Sequence, residues 1–479
     1  MKFKFCSLKT ITLMFGKSSL TFLLLGLFLN EPIYPQLPTA SEIASKMTIG
    51  WNTVNSLEVP TNETDWGNPK INQQLIDSVK RAGFNTIRIP CAWNSHANQT
   101  TLEIDTDFLA RVKEVIDYCY ANNLYVIINC HWDGGWLENN VTEAMQDTVN
   151  VKQEAYWTQI AEYFKDYDEH LLFAGANEPN VDNAAQMAVL MSYHQTFIDA
   201  VRATGGNNSS RVLIIQGPST DIDKTNQLMS SMPADQIENR LMAEIHYYTP
   251  WQFCGLEQDA NWGKMFYFWG KDYHSTSNPT RNATWGEESA VETYFQSMKT
   301  KFIDKGIPVI LGEYGAIKRM SLTGEDLTLH IASREHYFNY VTNSAIRHGL
   351  IPFCWDNGLF NRNNGAVIDQ GTLNAVIQGA VTSIEEEKKT ENSPVNYINV
   401  SPNPASSSTN IQVFLKEAAR VNISIFNILG EEVAVFNDLD YGPGMHSVRW
   451  DAAKLPIGTY FINLNMGNHS LIRKVLLMR

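Results

Sequence analysis

The chain has few cysteines and more acidic than basic residues. Its 479 residues include 6 cysteines, and 51 Asp and Glu outnumber 37 Lys and Arg, which gives a formal net charge of −14. A chain this acidic lacks the basic stripe that a phosphate backbone requires, so we expect no nucleic-acid partner. A neutral polysaccharide is compatible with this charge.

The cysteines and histidines show no spacing typical of a metal site. The histidines include no His-Glu-x-x-His or comparable cluster, so we expect no metal and no cofactor. Cys6 lies in the N-terminal segment, and the remaining cysteines are odd in number and cannot all pair within the chain. Several of these end apolar runs, which favours buried free thiols. They are Cys91, Cys119, Cys130, Cys254 and Cys354.

Long apolar runs are absent after the N-terminal segment. Residues 1–35 have a basic start, an apolar core at Leu20–Leu29 and then a polar, Pro-rich stretch, which predicts a signal peptide cleaved between Asn30 and Thr39. No later segment reaches about 20 consecutive apolar residues, so we expect no lasting membrane anchor. The protein is therefore expected to be secreted or at the cell surface.

Between Met47 and Asn374 short apolar runs alternate with amphipathic helical stretches. Such alternation predicts an α/β fold with a parallel sheet, and eight units favour a closed (β/α)₈ TIM barrel over residues 36–384. An open doubly wound sheet is the alternative, but no Gly-x-Gly-x-x-Gly follows an early strand. The expected strands are Met47–Trp51, Asn85–Pro90, Leu124–Cys130, Leu171–Ala176, Val212–Gln216, Met242–His246, Pro308–Leu311 and Leu350–Trp355.

The sequence changes character after the barrel. Residues 385–394 are charged and end at Ser393-Pro394, which predicts a solvated linker. Residues 395–479 then contain short alternating segments separated by Gly and Pro, such as Asn410–Leu415 and Val421–Phe426. This pattern predicts a small all-β sandwich.

Two acidic tripeptides, Asn177-Glu178-Pro179 and Gly312-Glu313-Tyr314, follow buried runs. A barrel of parallel strands brings the C-terminal ends of its strands to one face, where barrel enzymes have their active sites. A retaining glycosidase needs two carboxyl groups about 5 to 5.5 Å apart, one as acid and one as nucleophile. The pair therefore predicts glycoside hydrolysis.

Other polar and aromatic side chains lie at the same predicted strand ends. Each alone is a weak signal, since a single Arg or His is more often structural, but their joint occurrence at matching positions favours an active site. They are Arg88, His131, Asn177, His246, Tyr248 and Trp355.

Around these strand-end residues the sequence resembles the family 5 glycoside hydrolases. Within that family it resembles subfamily 4, whose members are endo-acting β-glucanases and xyloglucanases. The matching strings are Gly50-Trp51-Asn52, Glu63-Thr64-Asp65-Trp66-Gly67-Asn68-Pro69, Ile87-Arg88-Ile89-Pro90, Asn129-Cys130-His131, Asn177-Glu178-Pro179, His246-Tyr247-Tyr248, Gly312-Glu313-Tyr314-Gly315 and Trp355-Asp356-Asn357-Gly358. The resemblance implies that Glu178 is the acid/base and Glu313 the nucleophile. It also implies Arg88 and Tyr248 near the nucleophile, Asn177 near the substrate 2-hydroxyl, and a cleaved-sugar subsite lined by His131, His246 and Trp355. Together with Asn52 these residues form the expected substrate-binding set.

Tryptophans supply the apolar surfaces that pyranose rings require. At helical spacing with Ile160 and Phe164, Trp157 is instead expected in the core. The tryptophans expected in a glucan cleft are Trp51, Trp66, Trp132, Trp136, Trp251 and Trp355.

Two positions depart from the family pattern. Trp132 stands where the family has a second histidine, and Val54 stands where it has a glycine. The first change replaces a hydrogen-bonding group by an aromatic face. The second predicts a different first loop, since valine does not easily adopt a positive φ.

The C-terminal segment resembles the sorting domains of the type IX secretion pathway of Bacteroidetes. The matching strings are Ser401-Pro402-Asn403-Pro404, Trp450-Asp451-Ala452, Leu455-Pro456 with Gly458-Thr459-Tyr460-Phe461, and Arg473-Lys474-Val475. The resemblance implies that the secretion machinery is a partner and that the domain is removed on export. A carbohydrate-binding module is the alternative.

These observations give the hypothesis of a secreted, monomeric, retaining endo-β-1,4-glucanase. Its substrate is a cellulose-like, mixed-linkage or xyloglucan polysaccharide. The alternatives are a non-catalytic polysaccharide-binding barrel, a β-mannanase of the same fold and a metal-dependent barrel isomerase.

Overall fold

The computed structural model describes residues 36–356, 358–386, 395–403, 405–415, 417–427, 431–466 and 469–477. Eight parallel strands form a closed barrel in sequence order, which confirms the predicted (β/α)₈ fold. They are β1 (Gly50–Asn52), β2 (Thr86–Ile89), β3 (Tyr125–Asn129), β4 (Leu171–Ala174), β5 (Leu213–Gln216), β6 (Leu241–Tyr247), β7 (Val309–Tyr314) and β8 (Leu350–Cys354).

Helices surround the barrel. They are α1 (Ala40–Ala44), α2 (Gln73–Ala82), α3 (Thr106–Tyr120), α4 (Gln146–Tyr163), α5 (Ala184–Ala203), α6 (Ile222–Leu228), α7 (Trp251–Cys254), α8 (Glu288–Lys301), α9 (Gly324–Arg347) and α10 (Gln370–Glu386). Helix α2 begins after Asn72, whose side chain accepts from the Leu75 amide, and ends at Gly83 with a φ of 110°. An asparagine N-cap and a left-handed glycine are common helix boundaries.

The barrel interior and the helix layer form separate cores. Inside the barrel, Ile127, Ile214 and Phe353 pack together with α1, which contributes Ala40 and Ile43. In the helix layer Trp157 is fully buried, as expected, and packs on Phe197. Because α1 packs on this inner core, the polar side chains of the barrel are left to the C-terminal ends of the strands.

Irregular pairing marks the strand ends that carry the chemistry. The register between β6 and β7 shifts at His246, and the register between β7 and β8 shifts between Leu311 and Tyr314. Such bulges re-aim side chains next to active sites. Glu313 accordingly lies within β7, whereas the sequence pattern placed it after the strand.

The C-terminal segment is antiparallel, as predicted. One sheet has the order β13-β10-β9 and the other has the order β12-β11-β14-β15. Their apolar faces share a core that includes Ile411, Trp450 and Ile462. The strands are β9 (Val395–Ser401), β10 (Ser408–Leu415), β11 (Ala419–Asn427), β12 (Glu432–Tyr441), β13 (Gly444–Asp451), β14 (Gly458–Met466) and β15 (His469–Leu477).

The remaining predictions concern the N-terminal segment, the linker, the cysteines and a membrane span. The predicted signal peptide, residues 1–35, lies outside the described residues, and so does most of the predicted linker, whose first two residues belong to α10. The five predicted free cysteines are all free and buried, which confirms that expectation. Among the described helices, none combines the length and apolar character that a membrane span needs.

Candidate active site

Two carboxylates and an imidazole meet at the C-terminal mouth of the barrel. One side-chain oxygen of Glu178, one of Glu313 and one ring nitrogen of His246 all lie within 4.8 Å of one another. Glu178 follows β4 and is 43% exposed through its side chain, whereas Glu313 is buried. The sequence therefore identified two carboxylates that the fold brings together.

Arg88, at the end of β2, is fully buried beneath these carboxylates. Its Nη1 donates to Glu313 Oε1 at 3.0 Å and to Asn52 Oδ1 at 3.0 Å, and its Nη2 donates to Asn177 Oδ1 at 2.8 Å. Its Nε lies 3.0 Å from Glu244 Oε1. The guanidinium thus directs its donors to protein groups and lies beside Glu313, as the resemblance implies, so any part it has in binding substrate acts through those groups.

Asn52 is also fully buried. Its Nδ2 donates to the carbonyls of Gly312, at 3.0 Å, and Cys354, at 3.3 Å, while its Oδ1 accepts from Arg88. No part of this amide is left for a sugar, so the expectation that Asn52 binds substrate is wrong. Its place in the site is to hold Arg88 and the β7 backbone.

His246 contacts carboxylates through both ring nitrogens. Nδ1 lies 2.7 Å from Glu178 Oε1 and 3.8 Å from Glu313, and Nε2 lies 3.3 Å from Glu244 Oε1. Burial alone lowers the pKa of His246, but the charge of Glu313 and hydrogen bonds to Glu178 and Glu244 outweigh it and raise the pKa to about 9. A protonated imidazole has no lone pair to offer a metal ion, although the spacing of this cluster would admit one.

Burial raises the pKa of the Glu313 carboxyl, and the positive charges of His246 and Arg88 oppose that rise. The charge of Arg88 lowers the pKa of Glu313, but burial outweighs this effect. Tyr248 donates its hydroxyl to Glu313 Oε2 at 3.0 Å, and burial keeps the pKa of Tyr248 well above its ordinary value. Glu313 is thereby held by two fixed donors.

His131 and Trp355 form one wall of the mouth. Their rings are stacked at 6.2 Å with an interplanar angle of 12°. Burial lowers the pKa of His131 well below its usual range, and the charges of Arg88 and His246 add to this effect. Asn129 Nδ2 lies 3.2 Å from Nδ1 of this neutral ring, which leaves Nε2–H as an outward donor.

The predicted cleft tryptophans divide by exposure. Trp66, Trp132 and Trp251 are about half exposed, in keeping with the prediction. Trp51 is fully buried, with the Arg362 guanidinium 4.9 Å above its ring. Its expected place in the cleft is therefore wrong.

Trp136 also lies in the core. It is 8% exposed, packs edge-on against Tyr156, and has Lys152 Nζ 5.8 Å from its ring centroid. Protein atoms occupy the surfaces that a sugar would need, so the expectation for Trp136 is corrected. The sequence pattern did not distinguish the two classes of tryptophan because both lie in or near the C-terminal ends of strands.

Val54 is buried, and it is not among the residues with positive φ. The left-handed position in this loop belongs to the next residue, Asn55, with a φ of 55°. The Glu58 carboxylate accepts from the amides of Asn55 and Ser56 and fixes the turn. The valine is accommodated because the left-handed position of the loop falls on asparagine, which tolerates it.

Two cavities are lined by loops that follow the barrel strands, and the first includes Glu178. One, of about 330 Å³, is lined by loops after β4, β5 and β6, including Glu178, Trp251 and Trp285. The other, of about 420 Å³, is lined by loops after β1 and β8, including Asn68 and Arg362. Since the barrel closes in sequence order, these cavities lie on different sides of its mouth.

Two residues of the site were missed in the sequence. Glu244 is fully buried and contacts both Arg88 and His246, and Gln216 donates to Glu244 Oε2 at 2.6 Å. The available signal was a charged residue within the apolar strand β6, two positions before His246.

The family model for cellulases, glycosyl hydrolase family 5, matches residues 48–366. The chain belongs to this family. The family 5 protein is therefore a glycoside hydrolase, and the recognition made from the strand-end residues is confirmed. A second model, for the secretion system C-terminal sorting domain, matches residues 399–478, which supports export of this family 5 enzyme to the cell surface or the medium.

Named relatives agree with this assignment. Endoglucanase A of Paenibacillus barcinonensis is 37% identical over 376 residues, covering 71% of this chain and 90% of the relative. The xyloglucan-specific endo-β-1,4-glucanase of Bacteroides ovatus is 36% identical, covering 71% of this chain and 70% of the relative.

Two solved structures resemble the barrel. One is a Bacteroides ovatus family 5 xyloglucanase in complex with a XXXG heptasaccharide, at a TM-score of 0.67 and 34% identity, covering 72% of this chain and 77% of that one. The other is a subfamily 4 broad-specificity endoglucanase from Bacteroides salanitronis, at a TM-score of 0.64 and 34% identity, covering 74% and 98%.

Proposed function

We propose that the protein is a secreted retaining endo-β-1,4-glucanase that cleaves internal bonds of β-glucan chains. The observation that carries the proposal is the approach of Glu178 and Glu313 oxygens to within 4.8 Å. Retaining glycosidases have carboxyl groups about 5 to 5.5 Å apart, whereas inverting enzymes need about 6.5 to 9.5 Å to admit a water.

The two carboxyl groups have environments that suit different roles. Glu313 is buried and held by Arg88 and Tyr248, so it attacks the anomeric carbon as the carboxylate. Glu178 is partly exposed and protonates the departing oxygen. Glu178 then removes a proton from the water that hydrolyses the glycosyl-enzyme, so both displacements use the same two groups.

Other site residues are proposed to bind the sugar. Arg88 does not bind the sugar itself. It donates to the Asn177 side-chain oxygen, and this hydrogen bond orients Asn177 Nδ2 toward the substrate 2-hydroxyl. His131 and Trp355 form the wall of the cleaved-sugar subsite. Trp66, Trp132 and Trp251 offer exposed aromatic faces for further rings.

Cavities on different sides of the barrel mouth support internal cleavage. A chain that occupies both cavities crosses Glu178 and Glu313 between them, and the cavity shared with Glu178 takes the leaving-group side. Relatives named as xyloglucanases and as broad-specificity endoglucanases make xyloglucan and unbranched β-1,4-glucans the first substrates to try. The division into a signal peptide, a barrel to residue 384 and a sorting domain from residue 395 remains part of this proposal.

The test is hydrolysis of carboxymethylcellulose, barley β-glucan, xyloglucan and glucomannan, measured as reducing ends. We expect release from at least one glucan and a loss of about 100- to 10,000-fold in Glu178→Gln, the range for one general acid/base. Glu313→Gln should be at least as impaired. Binding without any release would favour the non-catalytic barrel, and release from glucomannan alone would favour the β-mannanase.

A further inference from the structure

Glu244 is a third carboxylate beneath the catalytic pair. It lies in β6 two residues before His246, so both side chains are on the same face of the strand. Its side chain is completely buried. Burial alone would raise the pKa of Glu244, but the charge of Arg88 and the hydrogen bond from His246 outweigh it and lower the pKa, so the group is an anion.

The contacts of Glu244 divide between its two oxygens. Oε1 lies 3.0 Å from Arg88 Nε and 3.3 Å from His246 Nε2, and Oε2 accepts from Gln216 Nε2 at 2.6 Å. Gln216 in turn accepts from the amide of Ala176 at 2.9 Å, two residues before Glu178. The anion is therefore linked to three neighbouring parts of the barrel mouth.

Each cation bound by Glu244 holds a different catalytic carboxyl group with its other end. Arg88 Nη1 lies 3.0 Å from Glu313 Oε1, and His246 Nδ1 lies 2.7 Å from Glu178 Oε1. The buried anion Glu244 is thus connected to Glu313 through Arg88 and to Glu178 through His246. With Glu313 ionised, two cations are balanced by two anions, so removing the charge of Glu244 leaves an uncompensated buried positive charge.

The main chain makes room for this arrangement. A Cβ added at Gly312 would lie 2.0 Å from Glu244 Oε1. The residue before Glu313 is therefore a glycine because the Glu244 carboxylate occupies the space of its side chain. The positions of the two glutamates are coupled through this contact as well as through Arg88.

We propose that Glu244 is a positioning residue that fixes Arg88 and His246, and through them holds Glu313 and Glu178 at reacting distance. This inference rests on the proposed function, since it assigns Glu244 a part in that reaction. The alternative is a purely structural counterion whose loss lowers stability and leaves the chemistry unchanged. The two differ in kinetics, and the titration of His246 tests the electrostatic contact itself.

The variant Glu244→Gln keeps the shape and removes the charge, and Asp235→Asn is its control. Asp235 forms a buried ion pair with Arg202 at 2.7 Å, on helix-side elements away from the mouth. We expect Glu244→Gln to lower kcat by about 100-fold, the cost of about 1 Å of misplacement, with KM changed by less than about threefold. Asp235→Asn should lower Tm and leave kcat unchanged.

An activated aryl β-cellobioside separates the contact through Arg88 to Glu313 from the contact through His246 to Glu178. Its phenolate leaving group departs without a proton from Glu178. The burst of phenol then reports attack by Glu313 alone. Glu244→Gln should slow both this burst and polysaccharide hydrolysis. A defect on the polysaccharide alone would overturn the link through Arg88, and unchanged rates on both substrates with a lowered Tm would reduce Glu244 to a counterion.

His246 provides a readout that does not require turnover. The carboxylates facing its ring are Glu178, Glu244 and Glu313, and its charge also acts on His131. Arg88 and Tyr248 each bind Glu313. NMR titration of the full chain should show His246 losing its proton at lower pH in Glu244→Gln than in the parent, whereas Asp235→Asn should titrate like the parent.

If the parent protein were inactive but His246 still titrated at lower pH in Glu244→Gln, the proposed function would be contradicted. The electrostatic contact between Glu244 and His246 would still be supported. No shift would overturn the link whatever the activity. Should Glu244→Gln fail to fold, Glu244→Asp keeps the charge but withdraws the carboxylate from Arg88 and His246. We then expect kcat to fall with KM little changed while His246 keeps a raised pKa, and an unchanged kcat would overturn the positioning role.

Discussion

Arg88 Nη1 and Glu313 Oε1 lie 3.0 Å apart in a fully buried ion pair between β2 and β7. The same guanidinium also donates to Asn52 and Asn177. A lysine has no planar fork and cannot make these contacts together. The orientation of the Glu313 carboxylate thus depends on an arginine whose donors are directed at protein groups.

We predict that Arg88→Lys lowers kcat by about 100-fold, because the Glu313 carboxylate loses its fixed orientation. The matched control is Arg202→Lys, which weakens another buried arginine pair, at Asp235. Steady-state kinetics of both variants check this. Equal kcat losses in the two would mean that general destabilisation, not orientation of Glu313, is responsible.

His246 makes the stability of the fold depend on pH. Its pKa is raised from 6.5 to about 9, so it binds its proton more tightly in the folded state. This contribution is fully present below pH 6.5 and is lost as the pH rises through about 9. We predict that the Tm advantage of the parent over His246→Gln shrinks across that window. A constant difference from pH 6 to pH 10 would contradict the raised pKa.

Trp251 lines the cavity that contains Glu178, and we predict that Trp251→Ala raises KM. Loss of one aromatic platform is expected to cost ~1.4 kcal/mol, or about tenfold in affinity. Trp262 is more exposed and lines neither of the two cavities described above, so Trp262→Ala is the control. Kinetics on soluble glucan would argue against the platform if both variants changed KM equally.

Gly312 lies against Glu244, and we predict that Gly312→Ala destabilises the barrel by about 1 to 3 kcal/mol through overpacking. Gly442→Ala is the control, because Gly442 has no positive φ and no atom of the described residues lies near the position of an added Cβ. Urea unfolding measures both. A Gly312→Ala protein as stable as the parent would contradict the packing of Glu244 against β7.

The barrel and the C-terminal sheets each have a hydrophobic core of their own. We therefore predict that residues 36–386, expressed without the sorting domain, keep the kcat and KM of the full chain. Assays at equal molar concentration check this. A large rise in KM in the shortened chain would support the carbohydrate-binding alternative for the C-terminal segment.

The fold and the catalytic pair followed from the sequence because they depend on local patterns. Eight apolar runs with interleaved helices predict a barrel, and carboxylates after two runs predict where they meet. Helix boundaries were less accurate: the amphipathic period predicts helices over 154–167 and 333–348, whereas α4 begins at Gln146 and α9 at Gly324.

Side-chain burial was the part that the sequence did not reveal. Trp51 lies within β1, whereas Trp66 and Trp136 lie in loops after strands, yet Trp51 and Trp136 pack in the core and only Trp66 of the three is exposed. Arg88 and Asn52 belong to the sequence strings that resemble family 5, but both side chains are fully buried. Glu244 was missed because its significance depends on contacts with β2 and with His246 that only the closed barrel brings together.

The stereochemistry of the first product tests the central claim most directly. A ¹H NMR time course of glucan hydrolysis distinguishes the anomers before mutarotation mixes them. The closeness of the Glu178 and Glu313 oxygens predicts that the β-anomer appears first, through a glycosyl-enzyme on Glu313. If the α-anomer appeared first, the reaction would be a single displacement, and the assignment of Glu313 as nucleophile would be wrong.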